Sequence, residues 1–144
     1  GGTGGFLAET KDRGQTWQVR QTGTAFTITF ISFLNEYRGM YTSARGTVAV
    51  TDNGGTDWTY NQIDYYPNYI CGGWLDQDRI FVAGDQYVGS TPPFMVESSD
   101  GGVTWEKVPL DHDNSIQAVF FVDGQLGWLV GDNGMILHAS FGTP

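Results

Sequence analysis

One eight-residue pattern occurs three times in this chain, aligned without gaps. Its copies are Thr10-Lys11-Asp12-Arg13-Gly14-Gln15-Thr16-Trp17, Thr51-Asp52-Asn53-Gly54-Gly55-Thr56-Asp57-Trp58 and Ser98-Ser99-Asp100-Gly101-Gly102-Val103-Thr104-Trp105. Their common form is Ser/Thr-x-Asp-x-Gly-x-Thr-Trp. The tryptophans Trp17, Trp58 and Trp105 stand 41 and 47 residues apart. A unit of that length cannot bury its own apolar face and must stack on its neighbours. The repeat therefore restricts the chain to stacked units, each about the size of a four-stranded sheet.

The flanks repeat as well. Sixteen residues after each Trp stands an aromatic: Phe33, Trp74 and Phe121. Each closes an apolar or alternating run (Phe26–Ile31, Tyr69–Cys71, Ile116–Phe120), the expected inner strand of a unit. A second strand is expected at Gly39–Tyr41, Ile80–Ala83 and Gly127–Val130, and a third at Phe6–Glu9, Val48–Val50, Phe94–Glu97 and Met135–His138. The polar residues after each box, around Gln18–Arg20, Thr59–Tyr60 and Glu106–Val108, suit an outermost edge strand. Four strands at this pitch make a β-propeller blade. The fold class expected is all-β, with about three four-stranded antiparallel blades. Residues 1–144 form a partial propeller domain anchored at boxes 10–17, 51–58 and 98–105, with a degenerate fourth box at 139–144.

The box has a mechanical reading. An Asp in a tight turn accepts hydrogen bonds from its own loop, which makes Asp12, Asn53 and Asp100 structural rather than catalytic. Gly14, Gly55 and Gly102 supply a positive φ. Trp17, Trp58 and Trp105 lay apolar faces into the sheet packing and can donate an N–H. In the second box Asn53 replaces Asp and Asp57 replaces Thr, a degraded hairpin that can still accept the same bonds.

Composition narrows the function. There are 21 glycines, 15% aromatic and only 16% charged residues, and no segment repeats at helical spacing, so essentially no α-helix is expected. The net charge of -9 and seven scattered basic residues argue against nucleic acid. No apolar run approaches the ~20 residues of a membrane span. The single cysteine, Cys71, sits in an apolar run and reads as a small core residue.

No convergent catalytic set is visible. Asp64, Asp76, Asp78, Asp85, Asp111 and Asp113 all lie in turn-like contexts. Asp111-His112-Asp113-Asn114 fits neither a calcium loop nor a zinc site, so no metal and no cofactor is expected. Two segments break the repeat. Asp64–Tyr69 joins one blade to the next and carries Tyr65, Tyr66 and Tyr69, an adhesive surface for peptide or glycan or padding between blades. Trp74 to Ser98 spans 24 residues where Phe33 to Thr51 spans 18, and the excess falls in Asp85–Pro93, with Gln86 and Tyr87. Inserted loops on a repeat scaffold often bind ligands.

At these residues the chain resembles the Asp-box, or BNR-repeat, propellers, and is similar to the photosystem II assembly/stability factor-like (Ycf48-like) branch. Gly127-Trp128-Leu129-Val130-Gly131-Asp132-Asn133-Gly134-Met135-Ile136 matches that branch's strand pair, and Gly39–Val48 is a weaker copy. The resemblance implies a propeller of roughly six to eight blades. It also implies an extracytoplasmic setting in periplasm, lumen or cell surface, and box residues remote from catalysis. The function expected is a non-enzymatic interaction or assembly module docking onto a larger protein complex. The alternatives are part of a sialidase- or xyloglucanase-like glycoside hydrolase, or a glycan-binding cell-surface or phage-tail propeller. Gly2–Gly5 aligns with Gly131–Gly134, so the chain spans about three periods; the remaining blades would come from the same chain or from another copy.

Overall fold

The computed structural model describes residues 1–63, 68–85, 94–110, 114–123 and 125–140. Four antiparallel sheets follow one another along the chain. The first pairs β1 (Leu7–Glu9) with β2 (Gln18–Arg20). The second is β3 (Ile28–Phe33), β4 (Gly39–Ser43), β5 (Thr47–Thr51) and β6 (Thr59–Gln62). The third is β7 (Asn68–Trp74), β8 (Ile80–Asp85), β9 (Phe94–Ser98) and β10 (Glu106–Pro109). The fourth is β11 (Ile116–Phe121), β12 (Leu126–Gly131) and β13 (Ile136–Ser140). Helical geometry among the described residues is confined to two single 3-10 turns, Thr3–Gly5 and Asp132–Gly134.

Strands pair strictly with their sequence neighbours, so each sheet is an up-and-down meander. The inner strand of the last three sheets carries an irregularity at the same repeat position, between Ile28 and Phe30, Tyr69 and Cys71, and Ile116 and Ala118. Such bulges increase local twist. The inner strand β3 starts two residues later than its apolar pattern suggests, because Phe26 is held in a turn. Its N–H donates to Thr24 Oγ1 at 3.1 Å, and the Arg45 guanidinium lies 4.9 Å from its ring centroid.

The core lies between sheets. Leu7 of the first packs with Ile28, Tyr41, Ala49 and Trp58 of the second. Met40 and Val48 of the second meet Tyr69, Ile80, Val82 and Val96 of the third. Cys71, Phe81, Ala83 and Met95 of the third meet Ile116 and Leu129 of the fourth. Strand β4 is buried along its whole length, because a middle strand between two seams meets neighbours on both faces. Stacked four-stranded meanders joined by apolar seams are blades of a propeller.

Candidate functional site

Each box is a closed hydrogen-bonded turn. In the first, Asp12 Oδ1 accepts from Thr16 N–H and the Thr10 hydroxyl, both at 2.8 Å, and Oδ2 accepts from Thr16 Oγ1 at 2.5 Å. Gly14 N–H donates to Thr10 Oγ1 at 2.8 Å. The third repeats this: Asp100 accepts from Ser98 Oγ at 2.9 Å, from Thr104 N–H at 2.8 Å and from Thr104 Oγ1 at 2.5 Å, while Gly102 N–H donates to Ser98 Oγ at 2.8 Å. In the second box the polarity between positions three and seven is exchanged. Asn53 Oδ1 accepts from Asp57 N–H at 3.0 Å, and Asn53 Nδ2 donates to Asp57 Oδ2 at 3.1 Å.

These bonds fix the charge of the carboxylates. The Thr16 hydroxyl and amide, with Thr10, hold Asp12 down at about 2, and Thr104 with Ser98 does the same for Asp100. Both acids are solvated and saturated by their own loop, so neither is placed to shuttle a proton. A depressed native pKa contributes stability above the unfolded value of 3.8, and this is lost as pH falls through about 2. The Tm is therefore expected to fall between pH 4 and pH 2, with a shallower fall in Asp100→Asn, measured by thermal melts across that range.

The backbone adds a feature that the box pattern does not reveal. Position four is left-handed as well as position five: Arg13, Gly54 and Gly101 have φ of 61°, 70° and 75°. In the second and third boxes this position also meets a second turn. Gly54 N–H donates to Tyr37 O and Gly101 N–H to Asp78 O, both at 2.8 Å, which ties the box to the turn after the inner strand. That turn has its own repeated residue. Asn35, Asp76 and Asp123, spaced like the boxes, each accept from the amides two and three residues on, at 2.8–2.9 Å. A search for Asx at the 41- and 47-residue pitch finds them in the sequence alone. Asp76 also accepts from Arg79 Nε at 2.6 Å; burial pushes its carboxyl up, but the Arg79 bonds outweigh this and hold it below the usual value. Arg13 is the one non-glycine at position four. Arg13→Gly is expected to stabilise by about 0.5–1 kcal/mol, relief of left-handed strain exceeding the entropy of a new glycine, as read from a urea titration.

The tryptophans depart from one shared role. Trp58 is 9% exposed and lies 4.7 Å from the Tyr41 ring, yet its Nε1 is buried without a partner. Trp105 Nε1 donates to Gly102 O at 3.1 Å. Trp17 is 62% exposed, contrary to the packing expected of it. The rings of Trp58 and Trp105 pack in the seams to the sheet before theirs, and no described sheet precedes Trp17.

Tyr69, a candidate for an adhesive surface, is 0% exposed and belongs to the seam between the second and third sheets. Its carbonyl accepts from Thr29 Oγ1 at 2.6 Å and Thr42 Oγ1 at 2.8 Å. An apolar seam favours the ring over solvent, so Tyr69 pads the blades and offers no surface to a ligand. Tyr65, Tyr66, Gln86 and Tyr87 lie outside the described residues, as do Asp111 to Asp113. Their flanks are placed, however: Asn68 and Asp85 are register partners across β7 and β8. The chain thus enters β7 after 64–67 and leaves β8 toward 86–93 at one end of the third sheet. That end is opposite the boxes.

Cys71 donates to Ala83 O at 3.5 Å, and burial pushes its thiol up to about 12, as for a packed, unreactive residue. Among the described residues no three His, Cys, Asp or Glu side chains converge as metal ligands. Among the described residues no helix is long and apolar enough to cross a membrane.

Stacked meanders with a hydrogen-bonded Asp turn in the outer hairpin define the class of Asp-box β-propellers. Within that class, the family profile of the photosynthesis system II assembly factor YCF48 matches residues 11–112, and the chain belongs to this family. Solved structures share the fold, among them the following three. YCF48 bound to D1 peptide has a TM-score of 0.71 at 19% identity, covering 94% of this chain and 40% of that one. YCF48 from Cyanidioschyzon merolae has 0.74 at 20%, covering 95% and 45%. An ancestral GH74 enzyme has 0.77 at 14%, covering 96% and 20%. The chain spans less than half the length of each. No curated protein matches it.

Proposed function

We propose that this chain is a non-enzymatic assembly module, part of an extracytoplasmic propeller, that docks an extended segment of a partner protein within a larger complex. The observation that carries the reading is the pairing of Asn68 with Asp85. It sets Asn68, which follows the tyrosine-rich segment 64–67, beside Asp85, which precedes the inserted segment 86–93, at a blade end away from the boxes. Tyr65, Tyr66, Gln86 and Tyr87 are the side chains assigned to contact. Membership of an assembly-factor family supports this, and so does the relative solved with a peptide bound. The commitment of Asp12, Asp76 and Asp100 to their own turns removes three acids from any catalytic pair.

The fold shared with a GH74 enzyme favours one competing reading, a glycoside hydrolase, which needs two acids flanking a cleft. Calorimetric titration with extended peptides and with oligosaccharides, beside a hydrolysis assay, separates the two. Peptide binding without turnover is expected, weakened at least about tenfold in Tyr65→Ala/Tyr87→Ala and unchanged in Asp12→Asn. Turnover of a polysaccharide, or peptide affinity indifferent to both tyrosines, would sink the proposal.

A further inference from the structure

Two asparagines of this chain precede glycine, in Asn53-Gly54 and Asn133-Gly134. In such a pair the glycine amide nitrogen, unhindered by a side chain, can attack the side-chain carbonyl carbon of the asparagine. Both asparagines are exposed, so access to water does not distinguish them. Their hydrogen bonds do. Asn53 Oδ1 accepts from Thr51 Oγ1 and from Asp57 N–H, both at 3.0 Å, and its Nδ2 donates to Asp57 Oδ2 at 3.1 Å. The attacking atom is held too, since Gly54 N–H donates to Tyr37 O at 2.8 Å. Reaction there must first open these bonds of the box. The Asn133 side chain has a single tie among the described residues, from Nδ2 to Asn114 Oδ1 at 2.9 Å, and that bond is exposed. Asn-Gly suits this turn because both residues are left-handed, with φ of 56° and 74°. Gly4 and Arg45 hold the repeat position of Asn133 and share its hand, with φ of 67° and 71°. Arg45 is exposed although its sheet is packed on both sides, so this position faces solvent in a complete blade.

We propose that Asn133 deamidates spontaneously in the folded protein, while the second box protects Asn53. Gly134 N forms a bond to Asn133 Cγ and gives up its proton; the bond from Cγ to Nδ2 breaks, and ammonia leaves with that proton. Water then opens the cyclic imide at either of its carbonyls. The product is isoaspartate, which lengthens the main chain by a carbon, or aspartate. Water is the only co-reactant. Either product sets a carboxylate next to Asp132 and removes the amide that donated to Asn114. The flanking strands are paired from Leu126 with Ser140 to Val130 with Ile136, which confines the change to the turn between them, at the blade end opposite the boxes. There it adds negative charge to a chain already at -9.

Incubation of the folded chain in mildly alkaline buffer, followed by peptide mass mapping over time, tests this. Each conversion adds about 1 Da at the modified residue. Asn133 is expected to convert at least about tenfold faster than Asn53, because opening several hydrogen bonds of ordinary strength costs at least that factor. In urea, with the chain unfolded, the two pairs are expected to convert at rates within about twofold of each other. Asn133→Gln has to close a larger ring and should remove the fast phase of ammonia release, with circular dichroism checking the fold. Equal rates at the two pairs in the folded chain, a faster rate at Asn53, or no conversion at Asn133 would overturn the proposal. So would a difference between them that persists undiminished in urea, since the box would then not be its cause.

Discussion

Phe81→Ala is expected to lower the free energy of unfolding by about 3–5 kcal/mol, the range for emptying a buried aromatic site. Phe81 is fully buried in the seam between the third and fourth sheets, with Phe121 edge-on at 6.0 Å. Its strand β8 pairs with β7 on one side and β9 on the other, so the backbone cannot close in to fill the space. A loss of this size is a large share of the stability of a single domain. Urea denaturation measures it. Val103→Ala, in an exposed turn of the third box, is the control and should stay within about 0.5 kcal/mol of the parent.

Gly102→Ala should destabilise by about 2–5 kcal/mol for a different reason. Gly102 sits at φ 93°, where an L side chain is strained by roughly 1–2 kcal/mol. A Cβ there would also lie 2.6 Å from Val50 Cγ1 and 3.3 Å from Ile80 Cδ1, both in the seam with the second sheet. Overpacking adds roughly 1–3 kcal/mol. Gly134 separates the two contributions. It has φ 74° and open space around it, so Gly134→Ala should show only the backbone cost of about 1–2 kcal/mol. Equal losses at the two glycines would mean that the box turn does not lock the seam.

The regularity of the repeat decided how much of this could be read from the sequence. Strand order and the outermost polar strands follow from spacing and alternation, and the structure has them within a residue or two. In the second box Asn53 accepts from the backbone as expected, while the donation from its Nδ2 to Asp57 Oδ2 was not foreseen. The ends of β3 were less legible, because Phe26 looks like a strand residue until the Thr24 cap and Arg45 are seen. Tyr69 carried two expectations, an adhesive surface and padding between blades, and packing decides for the seam. The left-handed position four was hidden because a non-glycine, Arg13, occupies it in the first box, and its tie to the preceding turn, the Gly54–Tyr37 bond, joins two turns that spacing treats separately.

Hydrogen exchange with and without a bound peptide tests the central claim most directly. The account predicts slowed exchange at the blade end carrying Asn68 and Asp85, and in the segments 64–67 and 86–93. The box loops 12–17, 53–58 and 100–105 should exchange at unchanged rates. Protection centred on the box loops, with none at the opposite end, would contradict it.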